Sequence, residues 1–147
     1  MENSFLTILN HSHSGLRWLV LLFLIIAIFY AFTAKKFEKK HKMVLLFSLI
    51  TVHLQLIIGL IQYTLSEKVQ FIEGWMKNPL LRFYGMEHLV GMLLAIILIT
   101  IGYSKAKRKE NDVDKFKVIR IYYTIGFLLI LLFIPWPFRT ILGGAWF

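Results

Sequence analysis

Four long apolar blocks, separated by short polar stretches, dominate the pattern of this chain. They run from about Gly15 to Ala34, Met43 to Leu65, Arg82 to Tyr103 and Ile121 to Phe138. Each is near the roughly 20 residues that an α-helix needs to cross about 30 Å of hydrocarbon. The runs are continuous, whereas a transmembrane barrel needs many shorter alternating segments. The pattern therefore predicts one transmembrane domain, residues 1–147, built as an all-α, up-down-up-down four-helix bundle. Between the second and third blocks lies a mixed stretch, Ser66 to Leu81. Its Val69, Phe71, Ile72, Trp75 and Met76 predict a short helix lying on the membrane surface. Pro135 and Pro137 are expected to end or kink the fourth helix.

Charge gives the bundle an expected direction. The first connection carries Lys35, Lys36, Lys39, Lys40 and Lys42. The third carries Lys105, Lys107, Arg108, Lys109, Lys115, Lys117 and Arg120. Only Arg17, Lys68, Lys77, Arg82 and Arg139 fall at the opposite ends. Cations concentrate on the cytoplasmic side of membrane proteins, so both termini are expected outside, on the periplasmic face of a bacterial inner membrane. The outer rim is then rich in aromatics, among them Trp18, Trp75, Tyr84, Trp136 and Trp146, which suit the headgroup boundary. The formal net charge of +9 does not indicate nucleic acid, because the basic residues are confined to short connections. The mean hydropathy of +0.68 agrees with a lipid bilayer as the partner. The absence of cysteine excludes disulfides, thiolate-ligated metals, iron–sulfur clusters and covalently attached haem.

Against this apolar background each polar residue needs a reason. His13 and Arg17 enter the first helix, His53, Gln55 and Gln62 lie in the second, and Glu87 and His88 in the third. Counting from the outer helix ends, His53 is expected roughly 16 Å deep and His88 roughly 9 Å deep. Two histidines on separate transmembrane helices are the donor set of a b-type haem, whose macrocycle an apolar bundle can solvate. His53 and His88 are the expected iron ligands, with His13 as the substitute for either. Arg17 and Arg139 are expected to pair with the propionates. Gly59, Gly85, Gly91 and Ala95 would leave room for a flat ring or for close helix packing. Gln55 and Gln62 are expected to join helices, and Glu87 to neutralise Arg17, Arg82 or Arg139.

Two further features point elsewhere. His11 and His13 form a His-x-His pair in an expected non-helical start, a candidate for copper or zinc at the outer surface. His41, among lysines, is expected to be solvated. No phosphate loop, His-Glu-x-x-His motif or serine triad context suggests a hydrolase or a transferase.

The stretches "HSHSGLRWLVLL" at 11–22, "HLQLIIGLIQY" at 53–63 and "RFYGMEHLVGMLLAIILITIGY" at 82–103 together resemble one four-helix half of haem A synthase. With "IPWPFR" at 134–139, the whole chain more closely resembles small four-helix bacterial membrane proteins labelled cytochrome b-like. The resemblance implies haem b held by His88 with His13 or His53. It also implies electron transfer near the outer face, as an accessory to a respiratory complex or with a quinol as partner. The competing expectation is a non-enzymatic subunit or assembly factor, whose histidines only hydrogen-bond between helices and which could be part of an oligomer.

Overall fold

The computed structural model describes residues 4–146. Helix α1 spans Ser4–Thr33, α2 Lys39–Leu65, α3 Pro79–Arg108 and α4 Asp112–Phe133. All four are long and apolar enough to cross a membrane, so the chain is a multi-pass membrane protein. The connections force alternating directions, giving the expected four-helix bundle. α1 packs on α2 and α3 on α4 as two hairpins, which meet along α1–α4 and α2–α3. One end of the bundle carries the lysine-rich connections; the opposite end, the histidine end, carries His13, His88 and the C-terminal segment.

Unlike a water-soluble protein, the bundle is apolar outside as well as inside. Large apolar side chains such as Leu22, Phe29, Ile57, Leu94 and Leu128 face outward, where lipid solvates them. Small or weakly polar residues are buried: Ala27, Ala31, Ser48, Thr51 and Ala95. Ser48 and Thr51 satisfy their hydroxyls on the Val44 and Phe47 carbonyls of their own helix. The α3–α4 hairpin closes on glycines. A Cβ on Gly91 would lie 2.2 Å from the Phe133 ring, one on Gly102 would lie 2.6 Å from Tyr122, and one on Gly126 would lie 2.8 Å from Ile99.

Helix ends differ from the expected ones because hydropathy marks the lipid-facing stretch, not where a helix stops. α4 starts at Asp112, well before Ile121. Asn111 caps it, accepting the Asp114 N–H at 2.8 Å, and Asp112 and Asp114 favour the positive end of the helix dipole. Lys115, Lys117 and Arg120 therefore stand on a helix rather than in a loop. α4 ends at Phe133, ahead of the two prolines. α1 begins at Ser4, so His11 and His13 are helical, contrary to the expected irregular start.

The stretch 66–78 does not form the expected surface helix. It is irregular, with a left-handed glycine at Gly74 (φ 76°) and a single 3-10 turn, Trp75–Lys77. Asn78 then starts α3, accepting the Leu80 and Leu81 N–H groups at 3.0 and 3.3 Å, with Pro79 in the first helical position. One turn later α3 widens into a π-helical turn, Phe83–Glu87, in which the His88 N–H reaches back to the Phe83 carbonyl. Within it the Gly85 carbonyl accepts the Tyr63 hydroxyl at 2.7 Å. A π turn re-aims the residues that follow it and recurs at functional sites; here the next residue is His88.

Candidate functional site

Helical rotation decides which histidines face inward. On α2, His41, Leu45, Ser48 and Val52 are buried at spacings of four and three, and Gln55, Gly59 and Gln62 continue that line. His53 sits one residue, about 100°, off it. On α3 the line Gly91, Ala95, Ile99, Gly102 and Ala106 is buried, and His88 extends it by one turn. On α1 the buried line begins at Arg17, with His13 one turn before it. His13 and His88 thus meet at the histidine end of the bundle, and His53 does not join them.

Their rings are 6.4 Å apart, centre to centre, with planes inclined by 64°. Both line a cavity of about 330 Å³ enclosed by all four helices and the C-terminal segment. Its walls are apolar at depth, with Leu56, Met92, Ile96, Ile130 and Ile134, and polar towards the mouth, with Asn10, Ser14, Gln62 and Lys68. A site of this size and lining is typical of small-molecule pockets.

The cavity holds polar atoms that the protein leaves unpaired. His13 Nδ1, Arg17 Nε and Gln55 Oε1 are buried without a hydrogen-bond partner, although buried polar atoms are paired as a rule. His13 is nevertheless firmly seated. Gln55 Nε2 donates to its backbone carbonyl at 2.8 Å, and a Cβ on Gly59 would come within 3.0 Å of its Cε1. Gln62 bridges to Asn10 at 2.6 Å. Both glutamines join α2 to α1, as expected.

His88 is oriented by the end of α4. A helix leaves its last carbonyls unpaired, and Pro135 and Pro137 lack the N–H groups that would have taken those of Leu131 and Phe133. Trp136 Nε1 donates to Leu131 O at 2.8 Å and Arg139 to Leu132 O at 3.2 Å. The third carbonyl, Phe133 O, lies 2.7 Å from His88 Nδ1. A carbonyl only accepts, so Nδ1 carries the proton and, in the neutral ring, Nε2 keeps its lone pair. A histidine fixed in this way is the usual form of a metal ligand.

The C-terminal segment lines one side of the mouth. After a 3-10 turn, Thr140–Leu142, the chain reverses at Gly143 (φ 56°). Arg17 donates to the Ala145 and Trp146 carbonyls at 3.0 and 2.7 Å, Trp18 Nε1 to Trp146 O at 3.1 Å, and Tyr84 to Leu142 O at 2.9 Å. Gly144 is obligatory, since a Cβ there would fall 1.8 Å from the Pro135 carbonyl oxygen.

Several expected placements are corrected. His53 lies in a separate groove between α2 and α3, with Nδ1 on its own Leu49 carbonyl at 2.8 Å, so it does not pair with His88. Arg139 is not in the cavity; its guanidinium covers the Phe83 ring at 4.9 Å. Arg17 does line the cavity, but its terminal nitrogen is committed to the C-terminal carbonyls. His11 is exposed at the mouth, and two positions along a helix turn it about 200° from His13, so the pair cannot chelate one ion. Glu87 pairs with Arg82 at 2.6 Å, one of the partners expected for it. His41 is not solvated: it is 4% exposed, packed among Tyr30, Phe37 and Phe116, and its Nδ1 accepts the Glu38 N–H at 2.8 Å. Beside it, on the connection, Lys40 holds the Glu38 carboxyl below the usual carboxylate range.

Among the described residues no three His, Cys, Asp or Glu side chains converge. A two-imidazole donor set instead fits a group that brings most of its own ligands, as a porphyrin does. Two imidazoles sharing one iron at about 2 Å from each nitrogen, with ring centres roughly 1 Å further back, would have centres about 6 Å apart. The observed 6.4 Å is of that size, and it is equally the spacing of an edge-to-face ring contact. His13 and His88 are thus two donors on separate helices that line one cavity. No known protein family, no characterised protein and no solved structure matches this chain.

Proposed function

We propose that this chain is a b-type haem protein of a bacterial cytoplasmic membrane, with both termini on the periplasmic side, serving electron transfer near that face as a respiratory accessory. The observation that carries the reading is the His13–His88 pair, 6.4 Å apart across a cavity lined by unpaired polar atoms. Bound haem supplies an iron that takes up and returns one electron. The chain's own residues hold and insulate it. The Phe133 carbonyl keeps the His88 Nε2 lone pair directed away from α4. Gly59 and Gln55 fix His13 opposite. Leu56, Met92, Ile96, Ile130 and Ile134 would keep water from a group bound there. Arg17 supplies positive charge at the mouth, and its unpaired Nε is free to donate to an anionic group there. The orientation rests on the twelve cations gathered at the lysine end.

A second reading has one observation in its favour. His88–Phe133 and Gln55–His13 are interhelical bonds in their own right, as they would be in an assembly subunit without a cofactor. The two readings separate on stoichiometry. Protein purified in mild detergent from haem-replete cells is expected to carry one haem b per chain in a pyridine haemochrome assay, with a reduced-minus-oxidised α-band. Absence of haem after reconstitution with haemin would favour the second reading.

A further inference from the structure

Beyond the histidine-end cavity, three buried polar atoms without a partner among the described residues lie on a single turn of α4: Arg120 Nε, Tyr123 Oη and Thr124 Oγ1. All three can donate a hydrogen bond, and none finds an acceptor. Arg120 carries the charge. Its terminal nitrogens make no hydrogen bond and are not among the buried atoms, so they open to the surface. Its guanidinium lies 5.7 Å from the centre of the Phe32 ring, across the α1–α4 seam. Phe32 is exposed and stands one residue before the end of α1, where the apolar block gives way to Lys35 and Lys36. The guanidinium is therefore at the boundary between hydrocarbon and headgroups. None of the acids at the lysine end, Glu38, Glu110, Asp112 and Asp114, neutralises it; among the described residues the ion pairs there are Lys40–Glu38 and Lys115–Asp112.

A half-buried cation at a membrane boundary is costly without an anion. The surroundings narrow which anion it takes. A guanidinium matches phosphate with two parallel N–H···O bonds. From Arg120 towards the membrane centre, exposed apolar side chains continue on both helices: Phe29 and Ile25 on α1, Ile121, Ile125 and Leu128 on α4. Acyl chains are solvated there, whereas a free anion or an acidic peptide is not. Lys117, exposed three residues before Arg120 and so its neighbour on the helix surface, adds a second positive charge. That favours a headgroup of net negative charge over a zwitterionic one. We infer that the α1–α4 seam at the lysine end is a binding site for one anionic glycerophospholipid, whose phosphate takes the Arg120 fork while its chains lie along α1 and α4. The site rests on the membrane spans alone and is independent of whether haem binds at the opposite end.

The test must separate this site from the diffuse attraction of the other cations at the lysine end. Tagged protein is immobilised in mild detergent and loaded with an equimolar mixture of phosphatidylglycerol and phosphatidylethanolamine. It is washed in 1 M sodium chloride, which cuts the screening length to about 3 Å. The phospholipid retained per chain is then counted by mass spectrometry. Wild type is expected to keep one phosphatidylglycerol per chain and little phosphatidylethanolamine. Arg120→Leu, an apolar side chain suited to the lipid boundary, is expected to cut the retained phosphatidylglycerol about tenfold, the worth of a hydrogen bond between charged groups. Arg120→Lys keeps the charge without the fork and is also expected to retain less. Lys107→Gln removes one charge from α3 at the same end and is expected to retain as much as wild type. No retained phosphatidylglycerol in wild type, equal retention by Arg120→Leu, or equal loss in Lys107→Gln would overturn the site. Should circular dichroism show that Arg120→Leu does not fold, Arg120→Lys decides, and unchanged retention by it would overturn the fork contact. Equal retention of phosphatidylethanolamine would overturn the anionic selectivity, and displacement by glycerol 3-phosphate, which has no chains, would overturn the lipid as occupant.

Discussion

Replacing His88 separates its two jobs, because Phe and Gln remove different things. His88→Phe keeps an aromatic body of similar size but leaves the Phe133 carbonyl without its donor. That carbonyl lies at the end of α4 beside Pro135 and Pro137, which cannot replace the lost N–H. An orphaned buried acceptor costs about 1–3 kcal/mol. The packing around it is tight, since Phe133 lies against Gly91 and Phe83 is 1% exposed, so water has little access. Taken at about 2 kcal/mol, the loss is a roughly 30-fold fall in the folded-to-unfolded ratio. His88→Gln can keep an amide N–H on the same carbonyl and is expected to lose less than about 1 kcal/mol. Both variants remove the imidazole and are expected to lose low-spin haem. The assay is reversible denaturant unfolding in mild detergent, followed by tryptophan fluorescence, beside an absorbance spectrum. Equal stability of the Phe and Gln variants would refute the role given to the Phe133 carbonyl. A Gln variant that retained wild-type haem would refute ligation by His88.

Other substitutions test the frame around the site. Gly91→Ala drives a methyl into the Phe133 ring, with overpacking expected to cost about 1–3 kcal/mol and to disturb His88 through the same residue. Gly144→Ala collides with the Pro135 backbone and is expected to detach the C-terminal segment, read as a red shift and stronger iodide quenching of Trp146 emission. Glu87→Gln breaks an ion pair whose side chains are 40% and 31% exposed, so the expected loss is below about 1 kcal/mol and shrinks with added salt. Single cysteines at Ser66 and Lys109 are expected to react with an impermeant maleimide on opposite sides of the membrane, Ser66 from outside; reaction of both from one side would refute the bundle's direction.

The spans were legible in the hydropathy pattern because each lipid-facing stretch must be apolar over its whole length. The ends were less so. A capped amphiphilic turn such as Asn111–Lys115 reads as loop on a hydropathy scale, yet its carboxylates and the Asn111 cap make it helix. The inward set was legible in principle. Small and polar residues recur at spacings of three and four through His13 and Arg17, through Gln55 and Gly59, and through His88 and Gly91. His53 falls one position off its line, so depth alone was a poor guide to pairing. What sequence could not convey is how a backbone carbonyl is used. Pro135 and Pro137 announce a helix end, but that the freed Phe133 carbonyl orients His88 depends on the α3–α4 contact. The same holds for His41, whose lysine-rich neighbours in sequence give no sign of the aromatic cage around it in space.

The most direct measurement compares haem binding in single variants of three histidines. Purified His13→Ala, His88→Ala and His53→Ala proteins are titrated with haemin, and the reduced-minus-oxidised spectra are recorded. His13→Ala and His88→Ala are expected to lose the low-spin b-type spectrum, while His53→Ala binds haem as the wild type does. Loss of the spectrum in His53→Ala with retention in His13→Ala, or no low-spin spectrum in the wild type itself, would contradict the assignment of His13 and His88 as the paired ligands.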